Sequence, residues 1–158
     1  MSRPVLAPLA PEVARRELAG EGGLAWSSGA PSAEDLVVLG IAAEAIPTWL
    51  IMVAGRCVGM IGTHEPLVTG STPEIGYHVA EEARGGGVAT QAVGLLLEEL
   101  ARVGVAGVVA EVDPRSEHAD ASLGVLRANG FERLDDAIVT QLFVDPVEGA
   151  VLLHRSLP

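Results

Sequence analysis

Arg84-Gly85-Gly86-Gly87-Val88-Ala89-Thr90 stands between an alternating stretch, Glu74 to Ala80, and an apolar stretch of helical period, Val88 to about Arg102. Its reading decides the fold. Three consecutive glycines let the backbone pass through conformations that other residues avoid. They also leave N–H groups uncovered at a helix start, where free donors and the positive end of the dipole attract anions. The expectation is a loop that holds a phosphate-bearing cofactor.

Working outward, the following helix is the strongest in the chain, because Val88, Ala92, Leu95, Leu96, Leu100 and Val103 recur at spacings of three and four. Gly104 or Gly107 ends it. The preceding strand alternates, with Glu74, Gly76 and His78 on one face and Ile75, Tyr77 and Val79 on the other. Before it, Thr48 to Ala54 and Arg56 to Glu65 read as two apolar strands closed tightly at Gly55. The connector from Pro66 to Pro73 is rich in turn residues. At the start of the chain, Pro4 to Leu9 holds a short strand. Pro11 suits the first position of a helix whose apolar stripe is Val13, Ala14 and Leu18, ended by Gly20. A Gly/Ser-rich loop, Glu21 to Gly29, carries Trp26. Ser32 caps a second helix, with Glu34 and Asp35 in its first turn, running to about Ala45.

Downstream, Val105 to Asp113 is a buried-type strand and Arg115 to Asp120 a polar loop. Ala121 to Ala128 is a short helix closed by Asn129-Gly130 as a left-handed cap. Phe131 to Leu134 starts a strand that Ala137 to Val144 continues. After a turn at Asp145 to Gly149 comes a last strand, Ala150 to Ser156. The order β-α-α-β-β-β-α-β-α-β-β implies an α/β (α+β) single domain over residues 1–158, a mixed sheet with helices on both faces.

Composition limits the function. The chain has 158 residues, enough for one domain with a real core. The net charge is -11 and all 10 basic residues are arginine, which argues against a nucleic-acid partner and favours cationic ligands such as amines. The single cysteine, Cys57, lies in an apolar run and reads as a buried structural thiol rather than a nucleophile. No Cys or His spacing suggests a metal site. No apolar run is long enough to span a membrane, and Pro4, Pro8, Pro11 and Glu12 interrupt any signal-peptide core, so a cytoplasmic protein is expected.

Two stretches resemble the GNAT family of N-acetyltransferases. The first is Glu74-Ile75-Gly76-Tyr77-His78-Val79 with the following Glu81 to Thr90, where Arg84, Gly87 and Ala89 fill the family's acyl-CoA loop, R/Q-x-x-G-x-G/A. The second, Ser122 to Phe131, is similar to the family's later helix, which ends in Gly-Phe. The Glu-Ile-Gly-Tyr start is closest to the branch that acetylates ribosomal-protein N-termini. The two stretches and the strand between them cover about Pro73 to Leu134; residues 1–50, which select the acceptor in this family, carry no matching motif.

The resemblance implies a mostly antiparallel sheet, acetyl-CoA as cofactor and transfer of its acetyl group to a primary amine by direct attack in a ternary complex. It implies that N–H groups of Gly85, Gly86, Gly87, Val88, Ala89 and Thr90 cradle the pyrophosphate, with Arg84 adding charge. Main-chain groups of His78, Val79 and Ala80 would pair with the pantetheine arm in a gap between strands, and the Val79 N–H would face the thioester oxygen. Candidate catalytic residues are His78, able to accept a proton near pH 7, Glu74 acting through a water, and Ser122 toward the leaving sulfur. Plainer roles stand beside these: a half-exposed strand residue for His78, an ion pair for Glu74, a helix cap for Ser122. His64 and Glu65 are weaker candidates, and His118 and His154 have no supporting group. Tyr77 reads as core packing; Trp26 and Trp49 either line the acceptor pocket or pack. Two departures matter: Ala119 stands where many members have Asn, and Leu126 where many have a tyrosine acid.

Two other readings fit the same residues. The same fold could serve as a non-catalytic acyl-CoA sensor. Gly85-x-Gly87, with Glu111 or Asp113 ending the next strand, also imitates a dinucleotide fingerprint, against which stand Thr90 at the third glycine position and the polar lead-in Glu81 to Arg84. The acceptor, a protein N-terminus or a small-molecule amine, is open. The apolar final strands are expected to leave an edge able to pair in a homodimer.

Overall fold

The computed structural model describes residues 2–27, 31–135 and 148–158. Its elements are β1 (Val5–Pro8), α1 (Pro11–Leu18), α2 (Ala33–Ala43), β2 (Thr48–Val53), β3 (Arg56–Thr63), β4 (Ile75–Val79), α3 (Val88–Arg102), β5 (Gly107–Val112), α4 (Ala119–Ala128), β6 (Glu132–Arg133) and β7 (Val151–Ser156). A 3-10 turn, Glu81–Ala83, separates β4 from the glycines. The order of elements is the one read from the sequence. The expected strand segment at 137–144 lies outside the described residues.

The sheet is split. β1-β2-β3-β4 form one antiparallel sheet and β5-β7-β6 another. Among the described residues a single parallel bridge, Glu74 with Val109, joins them. β7 lies between β5 and β6 and is paired on both sides.

Side-chain alternation along the strands builds two cores. On one face Ile51, Val58, Ile61, Ile75 and Val79 pack with Val88, Ala92, Val93, Leu96, Leu97 and Leu100 of α3, and with Leu126 of α4. On the other, Leu50, Cys57 and Met60 pack under α1 and α2 with Ala14, Leu39, Ala42 and Trp26. Cys57 is buried as expected, and burial pushes its thiol up to about 11, so it is an inert core residue.

α1 corrects one expectation. Val13 and Leu18 face outward, while Ala14 and Glu17 are buried. The reason is a loop folded onto the Glu17 carboxylate. That carboxylate accepts the N–H groups of Gly23 at 2.6 Å and Leu24 at 2.8 Å, and the indole N–H of Trp26 at 3.1 Å. Burial works to raise the Glu17 pKa, but these bonds and the nearby Arg16 outweigh it and hold the carboxyl below its ordinary value. Trp26 is thus a packing residue tied to α1.

β3 and β4 approach closely because β3 carries glycines. A Cβ on Gly59 would lie 2.1 Å from the His78 carbonyl oxygen and 3.0 Å from the Val79 Cα, both backbone atoms that cannot swing away. Gly59→Ala is therefore expected to destabilise the protein by about 1–3 kcal/mol, the usual cost of overpacking. A urea midpoint that falls with an unchanged slope checks this.

Candidate active site

β4 and β5 meet only at their starts. The Val109 N–H bonds the Pro73 carbonyl at 3.0 Å, and beyond the Glu74–Val109 bridge the strands part. In an antiparallel ladder successive residues point their backbone groups alternately to the two sides. The Ala80 N–H reaches the Val58 carbonyl and the His64 N–H reaches the Glu74 carbonyl. Residues 74, 76, 78 and 80 therefore face β3, and the backbone groups of Tyr77 and Val79 face the gap. The gap opens into a cavity of about 350 Å³, lined by Tyr77, His78 and Val79 of β4, by Ala83, Arg84, Gly85, Gly87, Val88, Ala89 and Thr90, and by His118, Ala121, Ser122 and Val125 beside or on α4.

The glycine turn bounds one end. Gly85 and Gly87 have φ of 80° and 79°, left-handed values that favour glycine. At Gly85 an added Cβ would meet nothing within 4 Å, so its requirement is conformational rather than one of space. Gly87 precedes α3 and offers no side-chain cap. The first intrahelical bond runs from the Gln91 N–H to the Gly87 carbonyl, at 3.0 Å. The N–H groups of Val88, Ala89 and Thr90 thus have no acceptor within the helix, and its first turn holds no acidic residue. This is a helix start suited to phosphate.

Arg84 folds back along the cavity rather than outward. Its Nε donates to the Val79 carbonyl at 2.9 Å, and Nη1 lies 3.4 Å from Nε2 of His118. One guanidinium therefore occupies the outward carbonyl at the end of β4 and leaves the neighbouring N–H of Val79 facing the gap. The Ala80 N–H is committed to β3, and neither Ala80 nor Gly86 lines the cavity.

α4 forms the opposite wall. It begins at Ala119, two residues earlier than its sequence suggests, with His118 at the cap. Ser122 lies inside the helix and lines the cavity, so the plainer role of capping does not apply to it. The Tyr77 hydroxyl donates to the Ser122 carbonyl at 3.4 Å, and burial pushes the phenol's pKa up against that bond. Tyr77 packs on the main core, as expected, and also lines the cavity. Leu126 is a buried core residue. The Asn129 side chain donates to the carbonyls of Thr90 at 3.1 Å and Val125 at 2.9 Å, tying α4 to the start of α3. In the cap itself only Gly130 is left-handed.

Glu74 and His78 share a face of β4, turned toward α2, but have different surroundings. His78 lines the cavity, with Nε2 at 3.7 Å from Oδ1 of Asp35. Glu74 does not line it. Its Oε1 lies 3.3 Å from Nδ1 of His64, and its N–H bonds the Glu65 carboxylate at 2.9 Å. The hydrogen bond that His64 donates to Glu74 raises the His64 pKa; burial opposes this, and the charges of Glu74, Glu65 and Glu111 add to it. Trp49 lines a separate cleft between β1 and α3, and His154 pairs within the second sheet. Among the described residues no group of three His, Cys, Asp or Glu side chains could hold a metal ion, and no helix is long and apolar enough to cross a membrane.

Sequence reasoning missed three residues. Val125 lines the cavity at helical spacing from Ser122, and that spacing was a usable signal. His118 gains its meaning only from Arg84, distant in the chain. Asp35 looked like an ordinary first-turn acid and is in fact buried against His78.

A split sheet, a phosphate-ready helix start and a strand edge left open between them define an acyl-CoA-binding acyltransferase fold. The family model described as "Acetyltransferase (GNAT) domain" matches residues 10–132. The chain belongs to that family; it is an acetyltransferase that uses acetyl-CoA. No curated protein matches the sequence significantly. Solved structures match in fold. A phosphinothricin acetyltransferase from Sinorhizobium meliloti in complex with acetyl-CoA is 18% identical with a TM-score of 0.60, over 98% of this chain and 88% of that one. A ribosomal-protein-alanine N-acetyltransferase from Brucella melitensis is 20% identical with a TM-score of 0.59, over 97% and 99%. An aminoglycoside acetyltransferase in complex with coenzyme A is 16% identical with a TM-score of 0.62, over 97% and 94%.

The His64–Glu74 pair gives a pH test. His64 is expected to titrate above the ordinary imidazole value of about 6.5, and Glu74→Gln to bring it down, as read by proton NMR. Because the folded pKa is the raised one, the pair's contribution to stability is full below about 6.5 and is lost as pH rises through the folded value.

Proposed function

We propose that this chain, as one acyltransferase domain over residues 1–158, transfers the acetyl group of acetyl-CoA to a primary amine by direct attack in a ternary complex. The observation that carries this is the open edge of β4, which brings a cavity-lining imidazole and a phosphate-ready helix start to one gap. Acetyl-CoA supplies an activated thioester. The N–H groups of Gly85 to Thr90 hold its pyrophosphate, and Arg84 adds positive charge beside them. Outward backbone groups of Tyr77 pair with the pantetheine amides, next to His78. The Val79 N–H faces the thioester oxygen; an oriented donor of this kind contributes about 3–4 kcal/mol to a transition state.

His78 takes the amine proton: of the two ionisable β4 side chains that line the cavity, the Tyr77 phenol is pushed up by burial, and an imidazole is the one suited to accept a proton near neutral pH. Glu74, engaged by His64, acts indirectly through the acidic field around the acceptor. The Ser122 hydroxyl serves the departing sulfur; no tyrosine takes that part, since Leu126 occupies the position. Protein N-termini and small amines both fit this chemistry, and the net charge of -11 favours a cationic acceptor. A cytoplasmic location agrees with the lone cysteine kept as a buried thiol.

The test is thiol release from acetyl-CoA with a panel: a peptide amide with free N-terminal alanine, spermidine, and an aminoglycoside. At least one amine is expected to be acetylated, with the N-acetyl product seen by mass spectrometry. Tight CoA binding without turnover on any amine would refute the amine reading. With the amine turned over, His78→Ala is expected to lower kcat by about tenfold or more, and Glu74→Ala by less. Gly87→Ala is expected to weaken CoA binding by about tenfold, from strain in the left-handed turn. Calorimetry with CoA measures the last effect without any acceptor.

A further inference from the structure

Asp35 is a buried carboxylate that none of the steps above uses. It is 6% exposed, in the first turn of α2. Its Oδ2 accepts the Ser32 N–H at 2.8 Å and the Ser32 hydroxyl at 2.9 Å, while the Ser32 Oγ accepts the Asp35 N–H at 3.2 Å. This reciprocal cap fixes the carboxylate through one oxygen. The other, Oδ1, is turned to β4 and lies 3.7 Å from Nε2 of His78, whose side chain is 20% exposed and lines the cavity. A helix start needs the first oxygen; it has no need of an imidazole on the second.

We infer that Asp35 is a positioning residue for acetyl transfer: it directs Nε2–H of His78 toward α2 and leaves Nδ1 to accept the amine proton. This rests on the assignment of His78 as base. As the C–N bond forms and the C–S bond breaks, the amine gives its proton to Nδ1 and the sulfur leaves as a thiolate that accepts a hydrogen bond from the Ser122 hydroxyl; the thiolate then takes a proton from solvent, to which the imidazolium returns its own. The ring then carries a positive charge beside a carboxylate already held in place. At 3.7 Å the contact is an ion-pair distance, longer than a hydrogen bond. It therefore orients the ring without placing Asp35 in the proton's path. The cap makes the arrangement rigid, since Asp35 cannot turn away from His78 without releasing Ser32.

The test has two arms. In the free protein, 15N-edited imidazole spectra, with His78 identified by its loss in His78→Ala, are expected to place the neutral ring's proton on Nε2. A proton on Nδ1 overturns the inference, whatever the acceptor. In turnover with the panel amine that reacts fastest, Asp35→Asn is expected to lower kcat by about tenfold or more while KM for acetyl-CoA stays within about twofold. Asp35→Glu should recover part of the loss. Ser32→Ala, which removes the hydroxyl's two bonds but keeps the Ser32 N–H on Oδ2 and so the carboxylate in place, should leave kcat within about twofold. In the His78→Ala background Asp35→Asn should change nothing further. Equal losses from Asp35→Asn and Ser32→Ala, or the same loss in both backgrounds, would show Asp35 to be a helix cap only. If no panel amine is acetylated, the amine reading fails and the tautomer alone decides the pairing.

Discussion

A strand edge inside a protein must have its N–H and C=O groups paired, or it costs free energy. The structure turns on a place where neighbouring strands do not meet this demand. β4 and β5 share a single bridge and then separate, so the outward backbone groups of Tyr77 and the N–H of Val79 face a cavity instead of a neighbouring strand. A ligand with amide groups in an extended arm meets the requirement. Most other features of the site hold this gap open or furnish its ends.

Two packings maintain the separation. α3 presses Val88, Ala92, Leu96 and Leu100 onto the first sheet and reaches across to Val108 and Ala110 of β5, so it holds both strands without joining them. Asn129 ties α4 to the start of α3 through the Thr90 carbonyl, and the Tyr77 hydroxyl reaches the Ser122 carbonyl across the gap. The wall formed by α4 is therefore referenced to the same helix start that offers its N–H groups to phosphate. Arg84 adds a further link: by bonding the Val79 carbonyl it sets the turn between strand and glycines.

The opposite face is organised by buried carboxylates rather than by apolar packing alone. Glu17 gathers the loop of Gly23, Leu24 and Trp26, and that loop reaches the 3-10 turn through the Ser27 hydroxyl, which donates to Glu82 at 2.9 Å. Asp35 caps α2 and faces His78. Each acid couples a local backbone need to the surroundings of β4. Neither is recognisable from hydrophobic periodicity, which treats an acidic residue as a surface residue.

The order of elements, the long helix from Val88 to Arg102, the glycine turn and the buried thiol were all legible in the sequence. Each depends on local chemistry: periodicity, propensity and the positive φ that glycine accepts. The family resemblance through Arg84, Gly87 and the Ser122 to Phe131 helix rests on the same local signals and led to the cofactor class. Tertiary structure alone decided which candidates share a site. It separated Glu74 from His78 by giving Glu74 to His64, set Asp35 against His78 and His118 against Arg84, and buried β7 between two neighbours. These pairs lie tens of residues apart, and their proximity follows from how two half-sheets diverge over α3, which no spacing along the chain encodes.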